Sequence, residues 1–296
     1  MGLNFLAKKL AYYFGYDIKS IDPYEVRNDL EMYYRLFSKE SVESKRFYNV
    51  GAGDFRHPAW ANIDKLSKWY KESIEGSKGL VNFDLLSLKP FPIESNTAEV
   101  VYSSHTIEHI TDKAALNLFK ESYRVLKKGG IIRLSTPNID LEYRAFKCND
   151  RDYFYWIGAY SEPKNYRRIK LNKPMSNASI HQIFLQHFAT SASELCADGA
   201  KERISDKELE TAFAEKGYGE ALDYCVSKCC LSAQERNPGF HVNWWNADKL
   251  SKMLKQAGFE TVYLSGFGQS FCPVLRNTCF FDKTVPKVSL YMEAKK

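Results

Sequence analysis

The pattern of apolar and polar positions changes along this chain near residue 46. Before that point, apolar side chains recur at helical spacing. Leu3, Leu6, Leu10 and Phe14 form one stripe, and Leu30, Tyr33, Tyr34 and Phe37 form another within Arg27–Phe37. Each stripe puts its members on one face of a helix. The first is expected to pack on the domain rather than lie on a membrane. From residue 46 onward, short apolar runs alternate with turn residues. They predict strands at Phe47–Val50, Ala61–Asp64, Gly79–Asp84, Glu99–Ser103 and Ile131–Ser135. Between the last two, Leu116, Phe119, Tyr123 and Leu126 predict a helix over Asp112–Leu126. Lys127-Lys128-Gly129-Gly130 reads as a basic helix end followed by a glycine stop.

Strands alternating with crossovers imply a parallel sheet. Residues 51–60 separate the first two strands, which is near the minimum for a crossover, and Pro58 lies among them. A short turn is expected there instead of a helix. Residues 139–240 break the alternation. They are rich in Tyr, Lys, Arg and Asn, with helix-like segments at Ser191–Lys201 and Asp206–Lys216. The alternation resumes with a helix at Asn246–Ala257, stopped by Gly258, and strands near Thr261–Ser265 and Val288–Ala294. Two strands after a final helix suit a hairpin that closes an otherwise parallel sheet. The expected layout has N-terminal helices at 1–45 and a sheet domain from 46–138 and 241–296. A helical insertion at 139–240 would lie over the sheet edge as a lid.

Composition adds a few limits. The 296 residues suffice for one large domain with an insertion. Aromatic residues make up 15%, a high share that is expected to fill core. The net charge of +6 suits an anionic small substrate without demanding nucleic acid. No long basic run, zinc-finger pattern or helix-turn-helix signature stands out. The seven cysteines are an odd number, and Cys225, Cys229 and Cys230 lack a usual zinc spacing. Reduced thiols and no metal site are expected. No apolar run approaches about 20 residues and no cleavage signal follows Lys8 and Lys9, so the cytoplasm is the expected compartment.

The chemistry begins at Phe47-Tyr48-Asn49-Val50-Gly51-Ala52-Gly53-Asp54, followed by Ala61-Asn62-Ile63-Asp64. A strand ending in two glycines, with a carboxylate after the next strand, is how an open α/β sheet builds a nucleotide pocket. Glycines let backbone approach a ligand, and a carboxylate accepts two hydrogen bonds from a ribose diol. A dinucleotide fingerprint would need a third glycine where this chain has Arg56, and its acidic residue would come later than Asp64.

Four blocks in order resemble the class I S-adenosylmethionine-dependent methyltransferases. They are Asn49–Gly53 with Asn62-Ile63-Asp64, Asp84-Leu85-Leu86 with Pro90-Phe91-Pro92, Val100–Ile110, and Arg124–Gly130 with Ser135-Thr136-Pro137-Asn138. His241–Phe259 and Ser289–Ala294 are also similar to that family. The resemblance implies a Rossmann-like α/β sheet, mostly parallel with an antiparallel C-terminal strand. It implies S-adenosylmethionine as cofactor and an enzyme that transfers its methyl group. Asn49, Gly51 and Gly53 would face the methionine part, and Asp64 would hold the ribose. Asp84 and Leu85 would meet the adenine. Ser103 and His105 follow the fourth strand, where the family places the methyl group and incoming substrate.

A hydroxyl acceptor needs a base. The candidates are His105, His181, His187 and His241, and Glu108-His109 is expected to shape the pocket from a helix start. Tyr166-Arg167-Arg168, Lys170, Gln269-Ser270 and Arg276 are candidates for holding a phosphate or nucleotide-linked sugar. The C-terminal pattern from Gly268 through Arg276, with Ser289–Ala294, resembles bacterial methyltransferases that modify surface-polysaccharide building blocks. The expected reaction is O-methylation of a small sugar- or phosphate-containing metabolite. An RNA or protein methyltransferase and a non-catalytic methyltransferase-like binding protein are the alternatives.

Overall fold

The computed structural model describes residues 10, 11, 13, 14, 29–66, 80–155, 171, 172 and 174–296. Two helices, α1 (Asp29–Leu36) and α2 (Lys39–Glu43), precede the sheet. Leu3, Leu6, the start of the Arg27 helix, Gly79, Tyr166-Arg167-Arg168 and Lys170 lie outside the described residues.

Seven strands form one sheet: β1 (Phe47–Val50), β2 (Trp60–Asp64), β3 (Leu80–Asn82), β4 (Ala98–Ser104), β5 (Leu126–Pro137), β6 (Thr261–Ser265) and β7 (Ser289–Lys295). Their order is β3-β2-β1-β4-β5-β7-β6. The first five pair in parallel, and β7 runs antiparallel between β5 and β6. This is the Rossmann-like sheet expected from the strand pattern, with its C-terminal strand reversed. No helix separates β1 from β2.

Alternation along the strands sends successive side chains to opposite faces. Tyr48, Val50, Val101 and Leu134 join a core with α3 (Asp112–Val125) and α10 (Ala247–Gln256). Phe47, Val100 and Tyr102 join a second core with Tyr33, Trp60 and Phe281. Both faces are covered, as a mostly parallel sheet requires. Each fully buried aliphatic or aromatic side chain contributes about 1.5–3 kcal/mol.

Two predicted boundaries need correction. The helix ends at Val125, and Lys127-Lys128-Gly129-Gly130 belongs to the long strand β5 instead of forming a helix stop. Here the strand bulges, with Gly129 at φ +84° and the pairing with β4 passing from Leu126 to Ile131, and Lys296 ties it down: Gly129 N donates to Lys296 O and Lys296 N to Gly130 O. Ser191–Lys201 is not a helix. A single 3₁₀ turn at Thr190–Ala192 gives way to irregular chain. Gln182 Oε1 accepts from Glu194 N and Ser193 Oγ, and Ala200 N donates to Ser191 O. Such local bonds compete with helical ones.

Among the described residues, 139–240 also carries the helices α4 (Ile139–Lys147), α5 (Arg151–Tyr155), α6 (Ile180–Phe188), α7 (Asp206–Glu215), α8 (Tyr218–Ser227) and α9 (Leu231–Arg236). It builds its own core around Phe146, Phe184, Phe188, Leu209 and Leu222. Adjacent tryptophans stitch the two regions, with Trp244 in the helical core and Trp245 in the sheet core.

Candidate functional site

The cavity lies at the carboxyl ends of β1, β2 and β4 and has a volume of ≈ 150 Å³. Gly51 adopts φ +69° and Gly53 φ +52°, so the chain turns sharply after β1. Asp64, the last residue of β2, faces back across the turn. Its Oδ2 accepts from Gly53 N at 2.8 Å and its Oδ1 from Lys65 N at 2.7 Å. Burial pushes the Asp64 carboxyl above its ordinary value, against the pull of these two bonds. Each oxygen keeps a lone pair for a further donor.

Asp84 caps a 3₁₀ turn at Leu85–Ser87, with Oδ1 accepting from Leu86 N at 3.0 Å. Its Oδ2 pairs with Lys65 Nζ at 2.6 Å. Phe83, Leu85 and Leu86 give this end of the cavity an apolar wall. A Cβ at Gly53 would meet nothing within 4 Å among the described residues, so backbone there is open to a ligand. An ionised carboxylate, an open glycine turn and an apolar wall fit a nucleoside with a free ribose diol. The residues therefore suit S-adenosylmethionine.

The other end of the cavity is built from the segment after β4. His105 has φ +51°, uncommon for a residue with a side chain and a mark of constrained backbone. Its ring lies between Glu108 Oε1, 3.1 Å from Nδ1, and Ser289 Oγ, 2.8 Å from Nε2. Glu108 is buried, and Thr136 Oγ1 donates to its Oε2 at 3.2 Å. Burial alone would raise the Glu108 carboxyl. The bond from His105 and the charges of His105, His109 and His241 overcome it and hold it at about 2.

The chain crosses this end a second time at Phe240–Asn243. Val242 N donates to Glu108 O, and Asn243 Nδ2 donates to Ile110 O at 3.0 Å. His109 Nδ1 bonds Phe240 O at 3.0 Å, and His241 Nδ1 bonds His187 O. The His109 and His241 rings meet edge to face, 4.7 Å between centroids. Burial, then the neighbouring His109 and His187, push His241 well below its ordinary value, opposed by Glu108. Beyond them, Glu142 Oε1 lies 2.8 Å from His187 Nδ1.

The sequence candidates divide. Gly51, Asp64, Asp84, Leu85 and His105 line the cavity, and Gly53 reaches it through Asp64. Ser103 does not, because strand alternation turns its hydroxyl inward to donate to Val50 O at 2.8 Å. Asn49 is buried and borders a separate ≈ 90 Å³ cavity behind Gly51 with Ser104 and Lys283. His181 lies elsewhere, where α6 meets α7, its ring 5.1 Å from that of Phe146 and its Nε2 2.9 Å from Glu210 Oε1. His241 and His187 border a small internal cavity with Glu108 and Glu142, adjoining the main one. Ser270 and Arg276 are tied to each other, Arg276 Nε donating to Ser270 O at 2.6 Å. Gln269 O accepts from Ser265 Oγ within the same loop.

Several lining residues escaped sequence reading. Lys65 and Thr106 sit inside or beside recognised blocks, while His109 lines the cavity where the Glu108-His109 pair was expected to shape it. Gln234, Glu235 and Pro238 reach the cavity from α9 and the turn after it. Nothing in a short polar helix so far along the chain signals such a position.

Residues 3–264 match the protein family described as Methyltransferase domain. No curated protein sequence matches the chain. Among solved structures, an S-adenosylmethionine-dependent methyltransferase from Mesorhizobium loti is 13% identical, with a TM-score of 0.40. The match covers 85% of this chain and 90% of that one. One from Archaeoglobus fulgidus is 13% identical over 100% of both chains, with a TM-score of 0.39. One from Thermotoga maritima, described as a possible histamine N-methyltransferase, is 11% identical. It covers 91% of this chain and 88% of that one, with a TM-score of 0.38.

Proposed function

The chain belongs to the methyltransferase-domain family, and from that premise we propose O-methylation of a small sugar- or phosphate-containing metabolite. It is an S-adenosylmethionine-dependent enzyme acting on a small molecule. The bound cofactor supplies an activated methyl group on a sulfonium. The chain's own task is to bind, orient and manage a proton. Orientation alone accounts for about 7–11 kcal/mol in well-aligned intramolecular reactions.

The observation that carries the reading is the cavity's division of labour. Asp64, Gly53 and the apolar wall at Leu85 suit a nucleoside at one end. At the other end, His105 and His109 line the cavity, and Glu108 and His241 stand in the wall behind them, so that nitrogen and carboxylate lone pairs gather there. Such a cluster favours a hydroxyl acceptor, which must lose a proton, over a neutral amine, which need not lose one first. The net charge of +6 favours an anionic substrate. Modification of surface-polysaccharide building blocks is the biological setting this reading adopts. Gln234, Glu235 and Pro238 would make the 139–240 helices a lid over the bound substrate. The cytoplasm is the compartment, a reducing setting that suits seven free thiols.

The test is calorimetric titration with S-adenosylmethionine and S-adenosylhomocysteine, followed by methyl-transfer assays on sugar nucleotides and phosphorylated sugars. Micromolar binding of both and transfer to a sugar hydroxyl is the expected result. Binding with transfer only to RNA or protein would replace the substrate class. No binding by well-folded protein would remove the cofactor role.

A further inference from the structure

Glu108, His109 and His241 bring one potential ligand atom each to within 4.8 Å of one another. Three features separate this cluster from a set of histidines paired for stability. First, both imidazoles are fixed in tautomer. His109 Nδ1 is spent on Phe240 O and His241 Nδ1 on His187 O. In its neutral form each ring therefore keeps its Nε2 lone pair free of backbone. A ligating imidazole almost always donates its other N–H in this way. Second, Glu108 Oε1 is buried, and its one contact within hydrogen-bond distance among the described residues is His105 Nδ1 at 3.1 Å, which leaves it a lone pair for an ion. His109 Nε2 stands 3.9 Å from it, too far for a hydrogen bond. Third, the carboxylate is itself braced, by Thr136 Oγ1 on Oε2 and by His105 at 3.1 Å.

We propose that Glu108, His109 and His241 form a binding site for one divalent first-row transition-metal ion of the Zn²⁺ or Co²⁺ type. Two imidazoles and one carboxylate favour such ions over Mg²⁺ or Ca²⁺, which prefer all-oxygen shells. Ligands around an ion at about 2.1 Å stand about 3.4 Å apart in a tetrahedral shell. Side-chain shifts of about 1 Å would bring the three atoms into that range. Three protein ligands leave at least one coordination position open, the arrangement of a catalytic rather than a structural site. His109 lines the main cavity while Glu108 and His241 border the inner one, so the ion sits at the wall between them. There it would hold an acceptor oxygen and acidify its hydroxyl. That role rests on the methyl-transfer reading, whereas the existence of the site does not.

The test uses the full chain, treated with chelator and titrated with Co²⁺ while visible d–d absorption is followed. One equivalent should saturate the signal, and Zn²⁺ should displace it. His109→Gln should weaken Co²⁺ binding by more than about 100-fold, beyond the usual cost of losing an outer-shell partner. His109 is partly exposed, so this variant tests the site even where the buried His241→Gln and Glu108→Gln variants fail to fold. Zn²⁺ should also raise the melting temperature of the parent protein but not of His109→Gln. Absence of stoichiometric uptake, or an isotherm that His109→Gln leaves unchanged, overturns the proposal. S-adenosylhomocysteine titration of the metal-free protein separates the two readings. Its failure would count against the cofactor pocket and leave the Co²⁺ result standing.

Discussion

Thr106 occupies the space that any side chain at Gly51 would need. A Cβ built on Gly51 would lie 2.1 Å from Thr106 Oγ1 and 2.8 Å from Thr106 Cβ. Gly51 also sits at φ +69°, a conformation that penalises residues with a Cβ. Steric and conformational demands thus coincide where the first strand meets the cavity. Gly51→Ala should lower the unfolding free energy by about 2–4 kcal/mol, adding left-handed strain to overpacking. Chemical denaturation measures this. Thr106→Ala in the same chain should restore only part, because its own Cβ remains in the way. Full recovery would mean that the turn simply adopts another conformation.

Asp64→Ala should weaken S-adenosylhomocysteine binding at least about tenfold, the cost of losing hydrogen bonds to a charged group. Calorimetry with circular dichroism as the folding check gives the answer. Unchanged affinity would move the ribose away from Asp64.

The pH dependence of that binding has a definite sign. Burial raises the Asp64 carboxyl above 3.8, so the folded apo-protein holds this proton more tightly than the unfolded chain. The ionised form is a net cost to stability at neutral pH, relieved as pH falls through the folded value. Cofactor hydroxyls need the ionised form as acceptor. Affinity should therefore be constant near neutrality and decline on acidification, starting at higher pH than an unperturbed aspartate would give. Titrations across a pH series check this, and an affinity that rises on acidification would contradict it.

Arg133, at the centre of β5, is fully buried and pairs with two carboxylates. Its Nε and Nη2 lie 3.1 and 2.5 Å from Asp282 Oδ1 and Oδ2, and Nη1 lies 2.9 Å from Glu293 Oε1. Gly266 O and Ser265 Oγ take the remaining donors. Arg133→Met should cost about 3–5 kcal/mol, because two buried carboxylates lose their counter-charge. Glu293 lies in the C-terminal strand β7. Its side chain also accepts from Tyr263 Oη and Phe271 N, so it braces the sheet edge. Thermal unfolding measures the loss.

His181→Ala should leave cofactor affinity and turnover within about twofold of the parent, because the residue does not line the cavity. His181 pairs with Glu210 and Asp206 where α6 meets α7. A large loss of turnover, with cofactor affinity intact, would mean that α6 reorients in the working enzyme.

Much of this protein was determined locally, within runs of a few residues. Strand alternation, the Gly51-x-Gly53 turn, Asp64 at the end of β2 and the helix stop at Gly258 each follow from short-range sterics and hydrophobic period. Neighbouring residues in sequence decide them, so they could be read without a structure. Misreadings arose where a side chain's direction depended on distant chain. Lys127–Gly130 carries helix-end residues yet lies in a bulge of β5, where Lys296 pairs with it. Ser103 sits near the end of β4 beside the cavity, but Val50 O on the adjacent strand takes its hydroxyl. His181 and His187 share α6, and helical phase sends one to Glu210 and the other to Glu142. The cluster of Glu108, His109 and His241 depends most on tertiary structure. It exists because Phe240–Asn243 returns across more than a hundred residues to bond the backbone of Glu108 and Ile110. Pairing at that separation is set by how two cores pack around Trp244 and Trp245, a balance of buried area that no local pattern encodes.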